Sequence, residues 1–262
     1  MINSIHTPLS GALAQDRVLE IIANNMANAN TVGFKGQRIT FTVLEPEPEK
    51  RYSDPLPPAN YKVSTEQLQH LKGNEILYVG VADVRRDLSQ GPAIKTNNPL
   101  DFQIEGSGMF EIQTPDGPRF TRNGSFSLSK DGILVTKDGF PVLGQKGTIP
   151  VKYGQFDIRG GNEIWQNGKF VDKLPLWNFS EESALEQVGD QMFFFGGNET
   201  QKNAEKSPMV NQGWLEGSNI NAIKNLTDLI IAHRSYESYQ KAVSQYDQMM
   251  QKTSNSIGVV RA

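Results

Sequence analysis

The C-terminal segment of residues 219–257 contains neither glycine nor proline, and this constrains the fold of the chain more than any other feature. Most of the 24 glycines and 14 prolines lie in the middle of the 262-residue chain, between residues 33 and 217. Apolar residues in the C-terminal segment recur at steps of three and four, which is the spacing of one helix face. We therefore predict a helix of about 35–40 residues, whose narrow apolar seam is typical of coiled-coil packing and needs a partner.

A second amphipathic helix is predicted at the N terminus, where apolar residues between Ile5 and Ala29 follow the same steps of three and four. Asparagine and glycine accept the left-handed conformation that ends helices, so this helix should end near Asn28 and before Gly33. The two helices can bury their apolar stripes against each other and against neighbouring subunits. The predicted subunit-interface seam consists of Leu9, Leu19, Ile22, Met26, Leu226, Ile230, Tyr236, Val243 and Met250.

The middle of the chain changes to an apolar alternation of two, which is typical of strands. Three Asp-Gly pairs, which begin at Asp116, Asp131 and Asp138, separate such alternations and are strong signals of hairpin turns. Residues 45–49 read EPEPE, and prolines continue to residue 58. This stretch cannot hold a regular helix and is most simply an extended connector.

These patterns predict an α+β fold, in which long N- and C-terminal helices form a coiled-coil-like axial domain and the centre is an antiparallel β domain. We place the N-terminal axial helix and its turn in residues 1–40 and a proline-rich connector in residues 41–74. The central β domain is placed in residues 75–212. The C-terminal axial helix, in residues 213–262, is expected to pack with residues 1–40.

The composition excludes several classes of function. The 26 basic and 29 acidic side chains leave a formal charge of −3, so the chain has no strong basic field for binding nucleic acid. No apolar run approaches the roughly 20 residues of a membrane-spanning helix, and the first residues lack the basic-then-apolar order of a cleaved signal peptide. The chain has 0 cysteines, which excludes thiolate metal ligands and cysteine nucleophiles.

The search for catalytic chemistry gives no site. The histidines His6, His70 and His233 lack metal-like partners, apart from His233 with Glu237 one helical turn further on. A histidine and a glutamate on one face of a coiled coil are more often a seam residue and a surface charge than a ligand pair. We therefore predict no enzyme activity and no catalytic, cofactor-binding or metal-binding residues. A β-rich glycan-binding protein or hydrolase is the alternative from a different class, since carboxylates are plentiful on the predicted strands and turns.

Four strings in the chain are specific enough to indicate a family. Residues 21–35 read IIANNMANANTVGFK and fit the pattern A-N-N-[LM]-A-N-x-x-T-x-G-[FY]-[KR]. Residues 120–126 read FTRNGSF, residues 212–220 read QGWLEGSNI, and residues 232–237 read AHRSYE, where His233 replaces the more usual glutamine. The chain therefore resembles the bacterial flagellar basal-body rod protein family, which comprises rod and hook axial proteins. The family-motif residues are Asn24, Asn25, Asn28, Thr31, Gly33, Phe34, Gly213, Glu216, Ser218, Asn219, Arg234, Tyr236 and Glu237.

The resemblance implies a structural subunit that polymerises into the helical axial drive shaft, which transmits torque from the motor to the hook. Residues 139–144, 215–220 and 226–230 are most similar to the proximal rod subunits, and the distal rod subunits are the close rival. The implied partners are copies of the chain itself, other proximal and distal rod subunits, the hook as a further candidate, and the flagellar export apparatus. No nucleic acid, cofactor or membrane-spanning segment is implied. The implied location is the basal-body rod, in the periplasm of a cell with two membranes, after export without a cleaved signal peptide.

Overall fold

The computed structural model describes residues 6–44, 78–151, 156–179, 185–189, 191–197, 202–204 and 209–257. The predicted proline-rich connector of residues 41–74 lies outside the described residues, except for residues 41–44. The chain divides into two compact units, each of which is formed from segments far apart in sequence. The helical unit consists of residues 1–27, 37–86 and 221–262, and the β unit consists of residues 28–36 and 87–220.

The helical unit contains two helices and one antiparallel pair of strands. The helices are α1, His6–Ala27, and α2, Ala222–Ile257. The strands are β1, Gln37–Leu44, and β2, Tyr78–Arg86, which pair along their whole length. Helix α1 packs against α2 and against both strands. Neither helix that the structure describes is long and apolar enough to cross a membrane.

Helix α1 approaches α2 closely at a glycine among the contacts that the structure describes. The buried apolar side chains of the two helices are Ala12, Ala14, Ile21, Ile22 and Ala232. Gly11 lies so close to the ring of Tyr239 that a Cβ atom at this glycine would be 2.6 Å from the ring carbon Cε1. The absence of a side chain at Gly11 therefore lets the ring of Tyr239 lie directly against α1.

The β unit is built from short strands, and every described pairing between them is antiparallel. The largest sheet that the structure describes has four strands, in the order Leu185–Val188, Met192–Phe195, Gly117–Thr121 and Phe110–Thr114, and another has three, in the order Phe156–Arg159, Glu163–Gln166 and Lys169–Lys173. The strands are β3 (Ala93–Lys95), β4 (Phe102–Glu105), β5 (Phe110–Thr114), β6 (Gly117–Thr121), β7 (Phe126–Leu128), β8 (Leu134–Thr136), β9 (Leu143–Gly144), β10 (Gly147–Thr148), β11 (Phe156–Arg159), β12 (Glu163–Gln166), β13 (Lys169–Lys173), β14 (Trp177–Phe179), β15 (Leu185–Val188), β16 (Met192–Phe195), β17 (Lys202–Ala204), β18 (Met209–Gln212) and β19 (Trp214–Glu216).

The last strands before α2 return to the first strands of the β unit, since β18 pairs with β4 and β19 pairs with β3. Two clusters of buried apolar residues form the core between the strands. In the larger cluster the rings of Phe110 and Phe126 meet edge to face, with centroids 5.2 Å apart. In the smaller cluster the rings of Phe120 and Phe179 are 4.8 Å apart. The β unit therefore has a buried core of its own.

The predicted fold class was wrong, because the described helices do not form a long coiled coil. Helix α1 has 22 residues and α2 has 36, so α1 can cover only part of α2. The side chains of Leu226, Ile230 and Met250 are 49%, 46% and 44% exposed, so no continuous apolar seam is buried along α2. A period of three and four indicates which side chains form a stripe, but it does not indicate what covers that stripe. The described chain is instead mostly antiparallel β structure, with one helix near each end.

Candidate assembly site

Three charged side chains meet in the interior of the β unit. Lys35 Nζ lies 2.6 Å from Glu216 Oε1, and Arg122 Nε lies 2.7 Å from Glu216 Oε2. The side chains of Lys35 and Glu216 are 1% exposed, and that of Arg122 is 4% exposed. Each carboxylate oxygen of Glu216 thus faces one cation. We name these three residues the buried charge cluster.

The two cations of the buried charge cluster also bind backbone carbonyl groups. Lys35 Nζ donates a hydrogen bond to the carbonyl of Ser89 at 2.6 Å. The guanidinium of Arg122 donates to the carbonyls of Gly106 and Gly108. Because buried charges are tolerated only when they are paired and hydrogen-bonded, these contacts explain how the β unit accommodates the cluster.

Burial lowers the pKa of the Lys35 ammonium below its ordinary value of 10.5, because a buried cation loses its hydration. The Glu216 carboxylate opposes this shift through its charge and its hydrogen bond. The nearby Arg122 guanidinium lowers the pKa further. The single carboxylate of the cluster therefore balances two cations that would otherwise repel each other in a medium of low polarity.

The backbone around the cluster is packed so closely that glycine is required at two positions. Gly33 has a φ of 71°, and a Cβ atom there would lie 2.6 Å from the backbone nitrogen of Asn123. The amide of Gly33 donates to the carbonyl of Glu216 at 2.8 Å. A Cβ atom at Gly124 would lie 1.7 Å from the carbonyl oxygen of Phe102. The string of residues 21–35 therefore meets the strings of residues 120–126 and 212–220 through both backbone and side chains.

Two asparagine side chains pair with backbone groups in the manner of a short strand. In the β unit, Asn219 Oδ1 accepts a hydrogen bond from the Gly36 amide at 2.9 Å, and Asn219 Nδ2 donates to the carbonyl of Asp87 at 2.7 Å. In the helical unit, Asn25 Nδ2 donates to the carbonyl of Gln37, and Asn25 Oδ1 accepts from the Gln37 amide, both at 2.9 Å. Asn25 thus fixes the first residue of β1 beside α1.

The other family-motif residues have more local roles. Thr31 Oγ1 bonds to Asn28 Oδ1 at 3.1 Å in the turn that follows α1. The Gly213 amide donates a hydrogen bond to the carbonyl of Asp101 at 2.8 Å. The hydroxyl oxygen of Ser218 accepts a hydrogen bond from the Ile220 amide at 3.3 Å. Of the remaining motif residues, Phe34 is buried, Tyr236 is half-buried, and Asn24 and Arg234 are exposed. Glu237 Oε1 lies 3.5 Å from His233 Nδ1.

Three residues of the predicted seam, Leu9, Tyr236 and Val243, line one groove between α1 and α2, and the role of the seam as a subunit interface stays a prediction. Ile22 is buried, and Leu19, Met26, Tyr236 and Val243 are half-buried. The other four face solvent, and they belong to a larger set of exposed apolar side chains on the two helices. This set comprises Leu9, Leu13, Ile223, Leu226, Ile230, Ile231, Tyr246, Met249 and Met250. We name it the exposed apolar surface of the helical unit.

Sequence reasoning missed Lys35 and Arg122 as site residues, although both lie inside the strings that indicate the family. The available signal was a lysine next to Gly36, an arginine two residues before Gly124 and a glutamate next to Gly217. Lys35 is 181 residues from Glu216 in sequence, and Arg122 is 94 residues from it. No local pattern at such separations predicts that these charges are buried together.

Three family models match separate parts of the chain. The model described as "Flagella basal body rod protein" matches residues 5–35. The model "Flagellar hook protein FlgE/F/G D1 domain" matches residues 103–164, and the model "Flagellar basal body rod FlgEFG protein C-terminal" matches residues 211–256. Each matched region contributes one of the three side chains of the buried charge cluster.

Curated relatives are similar to the chain over nearly its whole length. The flagellar basal-body rod protein FlgG of Agrobacterium fabrum is 36% identical over 270 residues, which cover 95% of the chain and 97% of that protein. The flagellar basal-body rod protein FlgF of Caulobacter vibrioides is 30% identical over 263 residues, which cover 99% of the chain and 100% of that protein. The flagellar basal-body rod protein FlgG of Caulobacter vibrioides is 35% identical over 269 residues, which cover 96% of the chain and 98% of that protein.

Proposed function

The chain belongs to the flagellar basal-body rod protein family and is a structural subunit of the rod, and we propose that it polymerises into a helical shaft that transmits torque from the motor to the hook. The observation that carries this proposal is the exposed apolar surface of the helical unit. Several large apolar side chains remain exposed on two helices, and concentrations of exposed apolar surface are typical of contacts between subunits. Neighbouring subunits would cover it in the assembled rod.

The gain from covering this surface is substantial. Burying a leucine or isoleucine side chain completely is worth about 1.5–3 kcal/mol, so a half-exposed one contributes about 1 kcal/mol when a neighbour covers it. Leu226 and Ile230 are both about half exposed, and Met249 is 62% exposed. Several such side chains on each subunit, repeated at every contact of a polymer, supply a driving force for assembly.

The buried charge cluster supports the second part of the proposal, which is the transmission of torque. Residues 28–36 directly follow α1, and residues 213–220 end two residues before the start of α2 at Ala222. The chain therefore leaves α1 through the first segment and approaches α2 through the second. The cluster binds both segments to the interior of the β unit. Closely packed interiors resist deformation, so a load on either helix would pass through the chain into a stiff β unit.

The position of the chain along the rod has two candidates. Proximal rod subunits are favoured by the strings of residues 139–144, 215–220 and 226–230, which led to that interpretation. Distal rod subunits are supported by the identity of 36% to a protein named FlgG, compared with 30% to a protein named FlgF. Complementation separates the two candidates. If the chain is a proximal subunit, its gene should restore swimming only to a strain that lacks the proximal subunit. If it is a distal subunit, the gene should restore swimming only to a strain that lacks the distal subunit.

The chain assembles with other flagellar rod subunits in the basal body. Its partners in our proposal are further copies of itself, proximal and distal rod subunits, the hook as a further candidate, and the flagellar export apparatus. The site of assembly in our proposal is the periplasm, after export without cleavage of a signal peptide. The intact mass of the subunit from purified basal bodies tests the export route, since loss of N-terminal residues would contradict it. The family is structural, and we propose no catalytic, cofactor-binding or metal-binding site.

The variant Ile230→Asp tests the role of the exposed apolar surface. A carboxylate at this position would have to be buried without a partner in the assembled rod, so we expect the variant to be absent from purified basal bodies. The matched control is Gln245→Asp, which places the same charge on another exposed position of α2. Circular dichroism should show native helix content in both variants. Normal incorporation of Ile230→Asp would contradict the proposal.

A further inference from the structure

A groove of about 300 Å³ runs between α1 and α2 within the helical unit. Its lining includes the apolar side chains of Leu9, Leu13 and Val243, and the carboxylates of Asp16 and Asp247 lie beside them. Leu9 and Leu13 are exposed, so the groove is open to solvent. In the part of the chain that the structure describes, neither carboxylate takes part in an ion pair. The groove therefore combines apolar side chains with two carboxylates that have no ion-pair partner among the described residues, and Gln240 and Ser244 add neutral polar groups to its lining.

A second surface of the helical unit has the complementary character. Ile223, Leu226 and Ile230 follow one another at steps of three and four, so they form one stripe along α2. Ile223 is 80% exposed, and the other two are about half exposed. Arg234 lies one turn further along the same face, is exposed, and makes no ion pair among the described residues. We name these four residues the α2 stripe.

The α2 stripe matches the groove in charge, and it matches the α2 wall of the groove in length. The stripe from Ile223 to Arg234 is about 16 Å long at the rise of an α-helix. The part of α2 that lines the groove, from Tyr236 to Asp247, contains the same number of residues and has the same length. An apolar stripe that ends in a cation thus fits an apolar groove that carries two carboxylates.

We propose that the groove of one subunit receives the α2 stripe of a second copy of the chain, with Arg234 of the stripe beside Asp16 and Asp247 of the groove. This inference rests on the proposed function, since it names the contact by which copies of the chain join. The stripe and the groove occupy different parts of α2, so every copy offers one of each. Such a head-to-tail contact continues from copy to copy, as a helical shaft requires.

Disulfide cross-linking tests the contact directly, because the chain has 0 cysteines of its own. The double variant Leu13→Cys/Ile230→Cys places one thiol in the groove and the other in the stripe. Basal bodies from cells that express this variant are purified, oxidised and analysed on a denaturing gel without reductant. We expect a ladder of dimers and higher multimers of the chain, which disappears with reductant.

The matched control is Leu13→Cys/Ile231→Cys, in which the second position is somewhat more exposed, at 58% compared with 46%, but lies about 100° further around α2. We expect at least ten-fold less cross-linked product from this pair. Stronger cross-linking of the control, a cross-linked monomer, or a product that stops at the dimer would overturn the inference. Absence of the wild-type chain from basal bodies would instead refute the proposed function, so the two failures are distinguishable.

Charge reversal tests the electrostatic part of the contact. Arg234→Glu should lower recovery of the chain in basal bodies roughly two- to five-fold, because the new carboxylate faces Asp16 and Asp247. The triple variant Arg234→Glu/Asp16→Lys/Asp247→Lys restores opposite charges and should recover most of the loss. If Arg234→Glu has no effect, or if the triple variant is worse than Arg234→Glu alone, the charge pairing is refuted.

Discussion

Replacing Glu216 by glutamine removes the only anion of the buried charge cluster and leaves its shape nearly unchanged. Lys35 and Arg122 would then share a buried site without the carboxylate that lies 2.6 Å and 2.7 Å from them. Removing one partner of a buried ion pair costs about 3–5 kcal/mol, because the remaining charge is buried without compensation. The side chains are almost completely buried, so solvent screening does not reduce this figure. We expect Glu216→Gln to lose about 3–5 kcal/mol of the free energy of unfolding of the β unit.

Chemical denaturation followed by tryptophan fluorescence measures this loss. The three tryptophans, Trp165, Trp177 and Trp214, all belong to the β unit, so their fluorescence reports on its unfolding. The control is Glu186→Gln, an exposed glutamate of the same unit, which should change the free energy of unfolding by less than about 0.5 kcal/mol. A loss below about 1 kcal/mol for Glu216→Gln would refute the reasoning.

A double-mutant cycle shows whether the loss comes from the contact itself. Lys35→Met removes one of the two cations, so less repulsion remains when Glu216 is also replaced. The loss in the free energy of unfolding of the double variant Lys35→Met/Glu216→Gln should therefore be smaller than the sum of the losses of the two single variants, by roughly 1–3 kcal/mol. Strictly additive losses would mean that the two side chains do not stabilise each other.

Gly124→Ala should lose several kcal/mol of the free energy of unfolding or fail to fold, because its Cβ atom would lie 1.7 Å from the carbonyl oxygen of Phe102. The control is Gly160→Ala, where the added Cβ atom would meet open space, and it should melt near the wild-type temperature. Equal melting temperatures would contradict the close approach. Asn25→Ala removes two hydrogen bonds of 2.9 Å to Gln37, the first residue of β1. It should destabilise the helical unit by about 2 kcal/mol, as measured by circular-dichroism melts. The control is Asn30→Ala, at an exposed position, which should melt like the wild type. Similar melts for these two variants would refute that role. The wild-type free energy of unfolding should rise relative to Lys35→Met as the pH approaches 10.5, because the folded ammonium has a lowered pKa and releases its proton before the unfolded one does. A difference that falls with pH would contradict this sign.

The family was predictable from the sequence, and the family models and curated relatives confirm it. The reason is physical as well as statistical, since the strings that carry the resemblance include residues with demanding surroundings. Gly33 needs a positive φ beside a neighbouring backbone, and Glu216 needs two cations. Few other residues satisfy such requirements, so the strings are specific.

The arrangement of the helices was not predictable in the same way. The stripe that contains Leu226 and Ile230 was interpreted as part of a coiled-coil seam because its period is correct for one. In the structure these large side chains are exposed, while α1 approaches α2 closely at Gly11, beside the ring of Tyr239. Periodicity indicates that a face is apolar, but small residues decide which face another helix can approach closely.

The buried charge cluster was beyond sequence reasoning for a different reason. Lysine and arginine are mostly exposed, so an interior position is the exception for both residue types. Whether a charge is buried depends on partners that are brought close only by the completed fold. Lys35 and Glu216 are 181 residues apart, and only the return of β19 to β3 brings Glu216 into the β unit interior.

The central claim is that neighbouring subunits cover the exposed apolar surface of the helical unit. The most direct test is the rate of maleimide labelling of Ile230→Cys, the only cysteine in such a variant. Lys130→Cys, in an exposed turn of the β unit, serves as the reference. Our account predicts rapid labelling of Ile230→Cys in the purified monomer and strong protection in basal bodies, relative to the reference. Equal labelling of Ile230→Cys in the monomer and in basal bodies would contradict it.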